Sequence, residues 1–127
     1  TGVQTCALPI SGSDTGFVPP DDDTYLCEKK VKRNLESFGS CVLACHMRRA
    51  RSALAGQSFD EEDCERGPGF RSCLTRYQRR AVGPLSRNTC PSCLDVAAQL
   101  NLASVVESYL DQNNGVIFCD GTEPLYP

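Results

Sequence analysis

Between residues 24 and 54 the apolar and cysteine positions fall at Cys27, Val31, Leu35, Phe38, Cys41, Val42, Cys45 and Ala53. Steps mostly of three and four place them on one stripe, the pattern of an amphipathic helix. Lysines and arginines fill the other faces, Gly39-Ser40 marks a place where the helix can bend, and Gly56 supplies a C-terminal stop. Ser58-Phe59-Asp60-Glu61 matches a capping box, so a second helix is expected to open with Ser58 as its cap and to break at Gly67-Pro68-Gly69. It resumes on a stripe of Phe70, Cys73, Leu74, Tyr77 and Ala81 and stops at Gly83-Pro84. A third helix is expected from Cys90-Pro91, with Leu94, Ala98, Leu102, Val105, Val106, Tyr109 and Leu110 as its apolar side and Asn113-Asn114-Gly115 as its end. Val116-Ile117-Phe118-Cys119 then reads as a short extended segment pinned to the body.

Nine cysteines in 127 residues change this picture. The first lies in residues 1–11, TGVQTCALPIS. That stretch resembles the translation of a short-read sequencing adapter, ACT GGA GTT CAG ACG TGT GCT CTT CCG ATC T. On this reading Cys6 is an artefact, a signal peptide has been lost upstream, and residues 12–23 form a flexible linker. Residues 24–122 are then a single cysteine-rich helical domain and residues 123–127 a tail. Eight cysteines remain in roughly a hundred residues, the arithmetic of a disulfide framework in an oxidising compartment. Such a framework supplements a thin core: Trp is absent and aromatics make up 7% of the chain. The fold class expected is therefore all-α, a small disulfide-stapled bundle of three to four helices containing an α-helical hairpin and ending in a short extended segment.

Cys27, Cys41 and Cys45 share one face of the first helix, too far apart to bridge one another, so each must cross to another element. If the first two helices form an antiparallel hairpin turning near Gly56-Gln57, Cys41 faces Cys73 and Cys45 faces Cys64. Cys27 then lies near the opening of the third helix and bonds Cys90, leaving Cys93 for Cys119. The nested pair resembles the stapled hairpins of the α-hairpinin and twin-cysteine helical families. The spacing of Cys64 and Cys73 departs from the latter by one residue.

All thirteen basic residues lie between Lys29 and Arg87, while five acids and no base follow from Asn88 onward. Helix electrostatics accounts for most of this, with acids at helix starts and arginines near helix ends. Glu61, Glu62 and Asp63 are accordingly expected to be solvated charges of a helix start. A weaker reading of the basic stretch is an anionic ligand or another protein as partner. No run of residues is long and apolar enough to span a membrane, and no phosphate loop or aromatic-arginine pattern for nucleic acid is present.

Two motifs offer chemistry. Cys41-Val42-Leu43-Ala44-Cys45-His46 resembles the long variant of the c-type haem attachment motif, which implies thioether bonds from Cys41 and Cys45 and an axial His46. Cys90-Pro91-Ser92-Cys93 at a helix start resembles the redox pair of thioredoxins and glutaredoxins, although no βαβ pattern surrounds it. A zinc site from Cys41, Cys45 or His46 with Cys90 and Cys93 lacks the second close pair such sites carry. Structural bridges fit all these cysteines more simply, so no metal, no cofactor and no catalytic residue is expected. Cys45-His46, FDEEDC from Phe59, CPSCLD from Cys90 and NNGVIFCDGT from Asn113 also resemble uncharacterised, exported, cysteine-rich helical proteins of environmental bacteria. That resemblance implies export and no activity. The expectation is a secreted or periplasmic structural or binding domain, with the redox pair or the haem as the alternative.

Overall fold

A computed structural model describes residue 14 and residues 16–83 and 90–122. The adapter-like segment with Cys6, the tail at 123–127 and Pro84 lie outside the described residues. Among those described there is no strand, and the regular structure is α1 (Asp22–Leu54), α2 (Glu61–Arg66), α3 (Cys73–Ala81), a 3₁₀ turn (Ser92–Leu94), α4 (Val96–Gln112) and α5 (Asn114–Ile117).

α1 is the spine, about 50 Å long at 1.5 Å per residue. Asp21 caps it by accepting the Thr24 amide at 2.8 Å, and Asp22 and Asp23 in the first turn meet the positive end of its dipole. The helix runs unbroken through Gly39-Ser40. A Cβ at Gly39 would lie 3.8 Å from Val106 and 3.9 Å from Leu110, ordinary van der Waals contact, so α4 passes alongside α1 here without requiring the glycine. Beyond Leu54 the chain turns at Gly56, whose φ of +73° is costly for a residue with a side chain.

The second helix starts two residues later than the capping box implies. Asp60, not Ser58, is the cap, its carboxylate accepting the Asp63 amide at 2.9 Å. A charged acceptor outcompetes a hydroxyl at the positive end of a helix. The break expected at Gly67 is present, and a Cβ on Gly67 would run into Asp63. α3 then opens on Ser72, which accepts the Thr75 amide at 3.2 Å.

Phe38, Val42, Cys45, Cys73, Tyr77, Ala81 and Ala103 form the buried core, with Leu35, Leu74, Leu100, Val106 and Leu110 packed around it. Phe38 and Tyr77 meet edge to face at 5.4 Å, and the Tyr77 hydroxyl donates to the Gln99 carbonyl at 2.6 Å, joining α3 to α4. α4 is rotated from its apolar stripe. Val105 and Tyr109 are exposed, whereas Gln99, Ala103 and Glu107 are buried. Small Ala103 lets the helices approach, the Gln99 amide donates to the Leu94 carbonyl at 2.7 Å, and Glu107 pairs with Arg66 at 3.3 Å. Such partners let a helix face go inward with polar residues on it, although Gln99 Oε1 is buried without one. Val116 and Ile117, expected to be extended, belong to the single turn of α5.

Candidate functional site

The cysteines fix where everything else sits. Cys27–Cys90, Cys41–Cys73 and Cys45–Cys64 are disulfides with Cα separations of 5.1, 5.7 and 5.9 Å. They tie α1 in turn to the segment leading into α4, to α3 and to α2. The expected bond between Cys93 and Cys119 is not formed. Cys119 is a free, exposed thiol, and Cys93 is disulfide-bonded elsewhere. The reason is distance: Cys93 precedes α4 and Cys119 follows it, and that helix is about 25 Å long, whereas a disulfide needs Cα atoms within about 7 Å. The few residues after Gln112, four of them coiled into α5, cannot return so far.

These bonds also change the two motifs. Cys90 bonds Cys27, so Cys90 and Cys93 do not form a dithiol pair with each other. Cys41 and Cys45 are consumed by Cys73 and Cys64, leaving no thiol for a haem vinyl group or for a zinc ion shared with His46. His46 instead points its Nε2 at carboxylates.

That imidazole is the centre of the most concentrated chemistry in the described structure. His46 is 4% exposed and Glu65 is fully buried. His46 Nε2 lies 2.9 Å from Glu65 Oε1, 3.1 Å from Asp111 Oδ1 and 3.8 Å from Glu61 Oε1. Three helices contribute: α1 the histidine, α2 both glutamates one turn apart, and α4 the aspartate. Sequence adjacency to a staple sets the pairing, because His46 follows Cys45 and Glu65 follows Cys64. Once the two sulfurs are joined, their neighbours are held face to face.

Arg49 reaches Glu61 at 3.7 Å, Arg66 reaches Glu107 at 3.3 Å, and the Phe118 ring stands edge-on to the imidazole at 6.4 Å. The cluster is richer in acid than in base. Burial, followed by the charges of Asp111, Glu61, Glu62 and Glu107, pushes the Glu65 carboxyl up to about 8. Burial also raises Glu107, against the pull of Arg66 and His46. Glu61, expected among solvated charges, is a correction: its side chain is only 15% exposed, because α2 turns that face toward His46. His46 Nδ1 and Glu65 Oε2 are buried with no hydrogen-bond partner. One ring nitrogen and carboxylate oxygens within 4.8 Å of one another form a donor set of the kind a divalent cation takes.

The pattern of the sequence does not single out Glu65, Glu107 or Asp111, since charged residues on amphipathic helices default to solvent. A signal does exist in the sequence: once Cys45 is assigned to Cys64, His46 must face Glu65.

The fold and its staples define a disulfide-clamped all-α domain, consistent with an oxidising, extracellular environment, with no helix among the described residues long and apolar enough to cross a membrane. Comparison of the chain with protein-family models, with curated proteins and with solved structures finds no match.

Proposed function

We propose that the chain is a secreted or periplasmic, disulfide-stabilised domain with a structural or binding role and no catalytic activity. The observation that carries this reading is the staple topology. Three bonds run from one helix to three different elements, which is how a small chain with a thin core gains rigidity. A thiol-disulfide role would favour Cys90 and Cys93 bonding each other, and a haem role needs Cys41 and Cys45 free.

A binding role draws support from a shallow hollow between α1 and α3, with a volume of about 470 Å³, lined by Glu36, Ser40, Cys41, Arg76 and Arg80 among others. Arg76 and Arg80 stand one turn apart on α3, and an anionic ligand is the partner their charge favours.

The test is alkylation and mass spectrometry of protein secreted from an oxidising host, with and without prior reduction, beside a visible spectrum. Cys119 is expected to take the label at once, and Cys27, Cys41, Cys45, Cys64, Cys73, Cys90 and Cys93 only after reduction. Labelling of Cys90 and Cys93 before reduction, or a Soret band, overturns the reading.

A further inference from the structure

We infer that His46, Glu65 and Asp111, with Glu61 beside them, form a binding site for a divalent first-row transition-metal ion, of which Zn²⁺ is the representative. This goes beyond the structural role proposed above and stands on different residues.

Geometry comes first. Zinc takes nitrogen at about 2.0–2.1 Å and carboxylate oxygen at about 2.0–2.2 Å, so the edge of a tetrahedral site is about 3.4 Å. The distances from His46 Nε2 to the three carboxylate oxygens, 2.9, 3.1 and 3.8 Å, bracket that edge. The ligand atoms of His46, Glu65 and Asp111 all lie within 4.8 Å of one another, so these three converge on one point, and Glu61 stands outside that set.

Proton counting argues the same way. A single Nε2–H can serve one acceptor well, and here three carboxylates converge on it. Glu65 is wholly enclosed, yet its Oε2 has no hydrogen-bond partner. A buried, partly unsatisfied carboxylate is costly, and a divalent ion on Glu65 and its neighbours would neutralise the excess charge that Arg49 and Arg66 leave. The bare Nδ1 of His46 does not distinguish the readings, because it lacks a partner whether Nε2 carries a proton or a metal.

The site is also preorganised and reachable. Cys45–Cys64 holds the residues next to it, His46 and Glu65, in register before any ion arrives. The Asp111 side chain is 37% exposed and gives the ion a path from solvent. A borderline nitrogen beside carboxylate oxygens favours zinc and its neighbours over Mg²⁺ and Ca²⁺, which prefer all-oxygen shells.

The experiment is isothermal titration of Zn²⁺, and separately of Mg²⁺, into oxidised, tag-free, chelator-treated chain carrying Cys119→Ser, so that the free thiol cannot bind. One ion per chain is expected, with zinc at least tenfold tighter than magnesium and with the thermal midpoint raised on binding. Asp111→Asn, on the exposed side, should keep the helical circular dichroism and weaken zinc at least tenfold. His46→Gln should abolish binding, and Asp111→Asn alone decides the matter if His46→Gln does not fold. Co²⁺ should give the visible d–d bands of a low-symmetry site and lose them in Asp111→Asn. Absence of one-to-one zinc binding, equal affinity for Mg²⁺, or zinc affinity unchanged by Asp111→Asn overturns the inference.

Discussion

Removing the Cys27–Cys90 bond should cost the domain more than removing either of the two bonds nested inside it. The separations are 63, 32 and 19 residues for Cys27–Cys90, Cys41–Cys73 and Cys45–Cys64. Taken singly, loop-closure entropy assigns them about 4.3, 3.7 and 3.2 kcal/mol. They are not single, because each inner bond shortens the loop its neighbour closes. With the other bonds in place, Cys27–Cys90 closes roughly 32 residues and Cys41–Cys73 roughly 14, and the losses become about 3.7 kcal/mol for the outer bond and about 2.5–2.7 kcal/mol for each inner one. Packing cancels in the comparison, since every bond joins one buried sulfur (Cys27, Cys73 or Cys45) to one half-buried sulfur (Cys90, Cys41 or Cys64). Paired Cys→Ala variants in a Cys93→Ser, Cys119→Ser background, which leaves these three bonds alone, unfolded in urea and followed by far-UV circular dichroism, measure the differences. The outer variant should be least stable by about 1 kcal/mol, with the inner two within a few tenths of each other. If either inner variant is the least stable, chain entropy is not what these staples supply.

Tyr77→Phe removes the hydroxyl bonded to the Gln99 carbonyl at 2.6 Å while keeping the ring contact with Phe38, so a loss of about 1–2 kcal/mol is expected in urea melts. For metal-free protein in chelator, stability should fall as pH rises. The Glu65 carboxyl stands at about 8 in the fold against 4.5 ordinarily, so folding takes up a proton between those values; the stabilisation is complete below the lower value and lost on passing the upper one. Urea midpoints across that range should show the slope, with Glu107 adding to it, and Glu65→Gln should flatten it. Gly67→Ala forces a Cβ against Asp63 and should cost about 1–3 kcal/mol in the same assay, whereas Gly69→Ala, with open space around it, should be nearly neutral. Replacing Arg76 and Arg80 together by Gln should lower retention on a sulfated-polysaccharide column at low salt, and the difference should vanish at high salt.

The elements were legible where the pattern is local. The 33-residue helix, the break at Gly67 and the facing of Cys41 with Cys73 and Cys45 with Cys64 follow from periodicity and hairpin geometry. What escaped depends on partners. Ser58 and Asp60 both look like caps, and only the competition at the helix end chooses Asp60. Apolar counting puts Val105 and Tyr109 inside α4, yet Gln99 and Glu107 go inside because Leu94 and Arg66 await them. Pairing Cys119 with Cys93 follows from the count of cysteines alone, which carries no information about the length of α4 between them.

The candidate site shows the same division between local and tertiary information, and shows how the two combine. Neither His46 nor Glu65 announces itself, and Glu61 looks like any acid at a helix start. A disulfide, however, carries more than its own two residues. It sets the register of the helices it joins, so residues beside a half-cystine can be brought opposite one another across the bond. Cys45–Cys64 thereby converts two unremarkable dipeptides, Cys45-His46 and Cys64-Glu65, into a buried imidazole facing a buried carboxylate. The i,i+4 spacing of Glu61 and Glu65 then adds a second acid on the same face, and the packing of α4 brings Asp111. The scaffold and the site are therefore coupled through one covalent bond: reducing Cys45–Cys64 loosens the fold and also releases the two ligands that the bond holds opposite each other.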